Sequence, residues 1–314
     1  VLLGALGVPV GFAMIAVSLL GLWLTIGEPF ALSVARTLPW ATTSQYGFVV
    51  VPMFILMGAF AARAGITREF FDAAERWLSG VRGGLYMATT VASAGFAAVS
   101  GSTVVNATVF TRIALPSMIR LGYDRGVGAA AIAAAGTIAG LIPPSLVMVV
   151  YGLLTQVSIG AMLIAGIVPG LLTAAAYVAG TAVLVRLCPA LAPPPGAAAA
   201  LSEKLASLKG IWPMIPLVVV VMGGIYGGFV SPSSAGTIGA AGALAIALAR
   251  RRLGGRAFLN SLAEAASLTA TVFLVIIGGL MLSRLLTISG FIPVLTGLVE
   301  DAGVTPLGFM LMVV

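Results

Sequence analysis

Residues 100–145 read SGSTVVNATVFTRIALPSMIRLGYDRGVGAAAIAAAGTIAGLIPPS, and two interruptions in this apolar stretch decide the fold. An apolar run from Leu85 reaches a polar cluster of Ser100, Gly101, Ser102, Thr103 and Asn106, and a second run leaves from Val109 to Ile119. Each arm holds about 15 residues, against the roughly 20 that a helix needs to cross the hydrocarbon core. The pattern therefore predicts a re-entrant helical hairpin with its tip at Ser-Gly-Ser-Thr. Non-helical backbone at that depth is tolerated only where protein or a water-filled cavity surrounds it. The next helix, from about Gly126, is interrupted at Gly140-Leu141-Ile142-Pro143-Pro144-Ser145. Neither proline has a backbone N–H, so the carbonyls one turn earlier lose their helical partners. A hairpin tip and a broken helix, both rich in free carbonyls and hydroxyls, predict a small cation site between them.

The rest of the composition agrees with a membrane setting. The chain has 314 residues, of which 60% are hydrophobic and 8% charged, with a mean hydropathy of +1.16. Soluble domains carry about 25% charged residues, so this is a polytopic membrane protein, with roughly eight or nine membrane segments at the usual span length. The single cysteine, Cys188, excludes a disulfide framework or a thiolate metal site within one chain. The absence of histidine removes Ser-His and Cys-His catalysis and histidine proton switching. Gly101-Ser102 has no histidine or neighbouring lysine to act as base, so a serine nucleophile, and with it an enzyme, is not expected. The net charge of +7 comes from 16 Lys and Arg scattered among loops. That is a topology signal rather than a nucleic-acid footprint.

The chain opens at Val1 without a methionine and reads as trimmed, with Leu2 to Ile26 a first span rather than a signal peptide. Residues 28–47 are mixed and predict an interfacial surface segment, and Phe48 to Ala64 a second membrane segment. Thr67 to Val81 interleaves five charges with Phe70, Phe71, Trp77 and Leu78, the pattern of an amphipathic helix at the membrane surface. Ser158 to Leu187 is a long span containing Pro169, and residues 188–210 break the hydrophobicity as a linker. Ile211 to Val230 and Ala235 to Ala249 are two further spans, followed by Arg250, Arg251, Arg252 and Arg256. The positive-inside rule makes that cluster cytoplasmic, and counting back two spans puts the linker, with Lys204 and Lys209, on the same side. Leu262 to Leu286 is another apolar segment, Phe291 to Asp301 a short surface helix, and Pro306 starts a final run.

Residues 54–78 and 275–301 share a plan: an apolar helix with Gly and Arg five apart (Gly58 and Arg63; Gly279 and Arg284), then Gly65-Ile66 or Gly290-Phe291 and a second helix. This reads either as an internal repeat or as chance likeness between glycine-rich segments. If it is a repeat, a second hairpin and broken helix are expected after residue 314. The spacings Gly136 to Gly140 and Gly223 to Gly227 are expected to serve close helix packing.

Several ordered motifs carry a resemblance that runs through nearly the whole chain. They are Arg112-Ile113-Ala114-Leu115-Pro116, Gly122-Tyr123-Asp124, Gly136-Thr137, Leu141-Ile142-Pro143-Pro144-Ser145, Tyr151-Gly152, Ile164-Ala165-Gly166-Ile167-Val168-Pro169-Gly170 and Ile225-Tyr226-Gly227-Gly228. In this set the chain resembles the large membrane subunit of tripartite ATP-independent periplasmic (TRAP) transporters. The resemblance implies an all-α, ion-transporter-like elevator fold with inverted repeats, each giving a hairpin and a discontinuous helix to a mobile transport domain. It assigns residues 1–82 to scaffold and arm helices, 83–157 to the transport-domain hairpin and broken helix, and 158–187 to a spanning helix. Residues 188–210 are then a cytoplasmic linker, and 211–314 the incomplete second repeat. It further implies sodium-driven import of an organic acid such as a dicarboxylate or sialic acid across a bacterial inner membrane. The implied partners are a small membrane subunit, a periplasmic substrate-binding protein and membrane lipid, with no nucleic acid and no cofactor beyond the coupling ions. A binding-protein-independent sodium/dicarboxylate symporter and an inactive scaffold fragment remain alternatives. One departure is Ser231-Pro232-Ser233-Ser234, where the family usually has Thr-Pro-Thr-Glu, so any role of that acidic residue is absent here.

The candidate sodium ligands are the side chains of Ser100, Ser102, Thr103 and Asn106 with backbone carbonyls near Gly140 and Ile142. Hydroxyl and amide oxygens are hard donors suited to sodium, although such residues also cap helix ends. Half-helix N-termini near Ser102 and after Pro144 point positive dipole ends at a carboxylate. Asn106, Thr137 and Ser145 are candidates to hydrogen-bond that substrate, with Ser145 equally readable as a cap. Arg112, the most membrane-embedded charge of the first half, is the remaining substrate candidate, or else it snorkels. Arg284 has the same two readings. No carboxylate falls in the middle of an apolar run, which favours sodium over proton coupling.

Overall fold

The computed structural model describes residues 2–313 and is helical, with no strand among the described residues. The chain forms two compact units, one from the residues up to Gln45 together with those from Thr269 onward, the other Tyr46–Leu268. The first apolar run is not one helix. It divides into α1 (Leu2–Ala5) and α2 (Val10–Thr25), because Gly7 takes φ +78° and Pro9 follows two residues later. α3 (Glu28–Thr43) buries Ala31, Val34 and Thr42 and leaves Trp40 exposed.

In the second unit, α4 (Val50–Arg63) is the axis. Val50, Phe54, Met57 and Ala61 are all buried along it. Gly65 (φ +81°) then turns the chain into α5 (Ile66–Leu78). The hairpin follows as α6 (Gly84–Ser100) and α7 (Thr103–Arg120). Their 17 and 18 residues extend about 26 and 27 Å at 1.5 Å per residue, short of the roughly 30 Å hydrocarbon core. α8 (Arg125–Thr137) runs into a 3-10 turn at Ile138–Gly140, and α9 (Leu146–Thr155) resumes beyond the two prolines, so the break falls where Pro143 and Pro144 require it. α10 (Ile159–Leu187), capped by Ser158, α11 (Leu201–Ser207), α12 (Met214–Tyr226) and α13 (Pro232–Ala249) complete this unit. Ser231 caps α13 by accepting from the Ser234 N–H at 3.2 Å, and the two hydroxyls lie 3.0 Å apart. Ser234 thus meets the Ser231 hydroxyl rather than its backbone N–H, so the cap runs in one direction only.

α14 (Gly255–Ile288), α15 (Phe291–Asp301) and α16 (Pro306–Val313) end the chain. In the first unit Ile277 and Met281 of α14 pack with Leu22, Ala31 and Val34. Close approach is possible because Gly11 faces Leu274 and Gly278 faces the Gly11 carbonyl. Arg284 lies over the Phe30 ring at 5.9 Å, a cation–π contact rather than a free buried charge.

Four stretches have the length and hydropathy to span a membrane: Tyr46–Arg63, Ile159–Leu187, Pro232–Ala249 and Gly255–Ile288. The pair Leu201–Gly210 and Met214–Tyr226, bent by 59°, makes a fifth if counted as one span. The remaining expected segments are the shorter helices Val10–Thr25, Gly84–Ser100 and Leu146–Thr155.

Three expectations change in the folded chain. The apolar face of α5 is covered by protein: Ile66, Phe71, Ala73 and Ala74 are buried, and Phe70 lies against Gly95 of α6. Residues 188–210 are no loose linker. Arg82 donates to the Pro189 carbonyl at 2.9 Å, the Tyr86 hydroxyl to that of Leu191 at 2.8 Å, and the Trp77 indole to that of Lys204 at 3.2 Å. The two glycine spacings also part company. Gly136 faces Ala107 of α7, whereas Gly223 faces nothing within 4 Å. As for the internal repeat, Gly65 and Gly290 are matching left-handed N-caps at φ +81° and +74°. Aligning these turns puts Ser283 and Ile288 opposite Gly58 and Arg63, so the turn recurs but the Gly–Arg pair does not.

Arginines beyond α13 hold one end of this unit together. Arg250 donates to Glu69 at 2.6 Å, to the Gly210 carbonyl at 2.9 Å and to the Ala64 carbonyl at 3.4 Å, and Arg252 reaches Ala64 at 3.1 Å. The basic cluster and the linker end thus lie on one side, as the loop count requires. At the other end Ser233 donates to the Gly47 carbonyl at 3.5 Å, so α4 and α13 run side by side in the same direction. Arg250→Ala leaves the Gly210 carbonyl without its donor and Glu69 and the Ala64 carbonyl with Arg252 alone, at about 1.5–3 kcal/mol for a hydrogen bond to a charged group. The expected outcome is a lower melting temperature for the detergent-solubilised protein, with no change for the exposed Arg256→Gln.

Glu75, half-buried on α5, has its carboxyl raised above the ordinary value, first by burial and then by Asp72. The folded state therefore holds this proton more tightly than the unfolded chain, and stability falls as pH rises from the ordinary carboxyl value through the raised one. Glu75→Gln is expected to melt higher than wild type at pH 7, with the gap closing towards pH 4.

Candidate functional site

The hairpin tip and the helix break meet through backbone. Gly101 ends α6 with φ +57°, and its carbonyl accepts from the Leu146 N–H, the first of α9, at 2.9 Å. A Cβ on Gly101 would run into the Pro144 carbonyl, so only glycine allows this approach. Behind the tip, Gly58 of α4 leaves room for Ser100, whose Cα would lie 2.9 Å from a Cβ there. Gly140 faces the Thr103 methyl.

Two half-helices therefore begin at this junction, each with a serine cap. Ser102 accepts from the Val105 N–H and Ser145 from the Met148 N–H, both at 3.4 Å. Ser145 also donates to the Gly140 carbonyl at 2.7 Å, closing the break. Its capping role is thus real, and the Gly140 oxygen has one acceptor position already used. The first-turn N–H groups of Thr103, Val104 and Val147 have no acceptor among the described residues, and Val104 and Val147 are both 59% exposed. Unpaired donors at a helix start carry partial positive charge.

Two buried oxygens lie on the hairpin arms, one at the end of α6 and one in the first turn of α7. The Ser100 hydroxyl and the Asn106 Oδ1 have no partner among the described residues, although Ser100 is 1% and Asn106 0% exposed. Asn106 donates through Nδ2 to the Ser93 carbonyl at 3.2 Å. Leaving a polar group buried and unpaired costs about 1–3 kcal/mol, and such groups call for a ligand, ion or water.

The remaining candidates lie elsewhere in the pattern. The Ile142 side chain is partly buried and its N–H bonds back to the Ile138 carbonyl at 2.9 Å, so it belongs to the break itself. Thr137 is exposed, its hydroxyl donating to the Ala134 carbonyl at 2.7 Å and lying 3.3 Å from the Tyr177 hydroxyl. Arg112 is exposed on α7 with no hydrogen-bond or ion-pair partner among the described residues. Neither is drawn to the tip. Gly58 and Ser93 are the contributors that motif reading passed over, with only the polar Ser93 within an apolar run giving a signal; Gly101 was read as part of the polar tip but not as the residue that bonds α9.

A family model described as "Tripartite ATP-independent periplasmic transporter, DctM component" matches residues 1–314. The chain belongs to the DctM family. It is 34% identical over 274 residues to the C4-dicarboxylate TRAP transporter large permease protein DctM of Pseudomonas aeruginosa, covering 87% of this chain and 63% of that one. The protein of the same name from Vibrio cholerae is 32% identical over 329 residues, with 98% of this chain and 72% of that one covered. The sialic acid TRAP transporter large permease protein SiaM of Vibrio cholerae is 29% identical over 273 residues, or 87% and 63% of the two chains. This DctM-family chain thus spans 63% of the length of two of these relatives and 72% of the third. The family is one of transporter permeases, and its helical, apolar architecture is that of a membrane protein.

The Gly101 contact is directly testable. Gly101→Ala places an L side chain at positive φ, at about 1–2 kcal/mol, and adds the collision with Pro144. A melting temperature several degrees lower is expected, whereas the exposed, φ-positive Gly122→Ala, with nothing within 4 Å, bears only the backbone term.

Proposed function

We propose that the parent protein is the permease subunit of a TRAP system that imports a small organic carboxylate with sodium, by elevator movement of the hairpin and broken helix. The observation that carries this reading is the pairing of unlike features at one junction. Ser100 Oγ and Asn106 Oδ1 are buried oxygens without partners, beside unpaired N–H groups at the starts of α7 and α9. The oxygens, with Thr103 and the carbonyls around Gly140 and Ile142, suit a small hard cation. The N–H groups suit a carboxylate. Each ligand neutralises part of the charge that would oppose the other in a low-dielectric site, so binding of either favours binding of both. A reciprocal coupling of about 1–3 kcal/mol, typical for linked sites, would make sodium lower the carboxylate concentration needed. Asn106 and Ser145 flank both ligand types, while Thr137 and Arg112 would join only in a different arrangement of the helices.

The dicarboxylate and sialic acid named for the relatives support a carboxylate substrate. The tripartite family supports a small membrane subunit and a periplasmic binding protein as partners, and we place the assembly in a bacterial inner membrane as part of the same proposal. The decisive assay reconstitutes the full-length parent with both partners in proteoliposomes and follows labelled succinate and sialic acid with and without a sodium gradient. Sodium-dependent uptake of one of them is expected, reduced at least ten-fold in Asn106→Ala. Uptake driven by protons and indifferent to sodium would overturn the cation assignment.

A further inference from the structure

We infer that Ser93 is a positioning residue for this site, its hydroxyl holding the broken helix in register with the arm that bears Asn106. The inference rests on the sodium reading given above. Ser93 sits in the middle of α6 and is 0% exposed, away from the tip. Its two polar groups go in two directions. The hydroxyl donates to the Ala135 carbonyl of α8 at 2.7 Å, and the main-chain carbonyl accepts from Asn106 Nδ2 of α7 at 3.2 Å. One residue thus ties the outgoing arm to the returning arm and to the last turn of α8 before its break.

The chemistry makes the amide orientation compulsory. A carbonyl only accepts, so Asn106 must turn its NH2 towards Ser93, and Oδ1 is left as the end facing away. That is the buried oxygen without a partner. The hydroxyl bond acts on the other half of the site. Ala135 also accepts from the Ile138 N–H that caps α8, one turn before Gly140. Packing alongside is tight, since a Cβ on Gly136 would lie 2.9 Å from that of Ala107. Losing the Ser93 hydroxyl therefore lets α8, and the carbonyls that follow it, shift against the arm that bears Asn106. Groups that orient a ligand without touching the ion commonly change affinity by about 10–100-fold when removed.

Thr89 supplies the matched control. It is one turn earlier on α6, equally buried, and its hydroxyl bonds only the Leu85 carbonyl of its own helix at 2.9 Å. The experiment measures sodium-dependent melting of the purified full-length parent, and sodium-dependent uptake in the reconstituted three-component system. Ser93→Ala is expected to raise the half-saturating sodium concentration about ten-fold, leaving maximal uptake at saturating sodium within two-fold of wild type. Ser93→Cys, which keeps a weak donor, should recover part of the affinity, and Thr89→Val should leave it unchanged. A Ser93→Ala protein with wild-type sodium affinity would overturn the inference while leaving the sodium reading intact. Equal shifts in Ser93→Ala and Thr89→Val would reduce Ser93 to general packing and overturn it too. Wild-type melting and uptake that ignore sodium would sink both readings together.

Discussion

Helices that stop inside an apolar body must have the polar groups at their ends satisfied, and here they do so against one another. The Gly101 carbonyl at the end of one arm takes the first N–H of α9 beyond the prolines. That bond requires a glycine at positive φ at the tip, two prolines to end the preceding helix, and Gly58 behind to admit Ser100. Serine caps then take one N–H in each new half-helix. What these devices leave unpaired is a short set of first-turn amides and two buried oxygens, and the proposed site rests on that unmet demand.

The surroundings explain how such a junction is held. α4 and α13 pass along one another, joined at one end by Ser233 and at the other by Arg250. The glycine-rich face of α13 lets α4 approach closely, with Gly239 against Met57, and a Cβ on Gly236 would lie only 3.1 Å from that of Met53. At the base of the hairpin the chain between α10 and α12 is strapped across by Arg82, Tyr86 and Trp77. The polar groups of the second unit are thus concentrated away from its apolar spans. Ser93 is one of several buried polar residues of the hairpin, and its two bonds run to α7 and α8.

Much of this was legible in the residues because it follows from local covalent rules. A pair of adjacent prolines removes two backbone donors in a row, so the break at Pro143-Pro144 was readable, whereas Pro116 and Pro169 each lie inside a helix and α13 begins at Pro232, three residues before the expected Ala235. Apolar arms too short to span, separated by Ser-Gly-Ser-Thr, announced the hairpin. The DctM motifs added the family. What was not legible depends on contacts between distant segments. The apolar stripe of α5 looks the same whether lipid or α6 covers it. A charged Pro-Ala stretch looks like a linker until Arg82 and Tyr86 are found bonded to its carbonyls. Motif spacing grouped Thr137 with Ser145, yet the last turn of α8 directs Thr137 towards Tyr177 of α10. Asn106 was legible as a ligand type, but only the fold shows which of its two ends is free.

The central claim is that Ser100 Oγ and Asn106 Oδ1 belong to a cation site. Its most direct measurement is equilibrium binding of radiolabelled sodium to the purified full-length parent, compared with Ser100→Ala and Asn106→Ala proteins that retain the wild-type fold by circular dichroism. Saturable sodium binding, weakened at least ten-fold in each variant, is the result the proposal predicts. Sodium binding of wild-type affinity in both variants would contradict it.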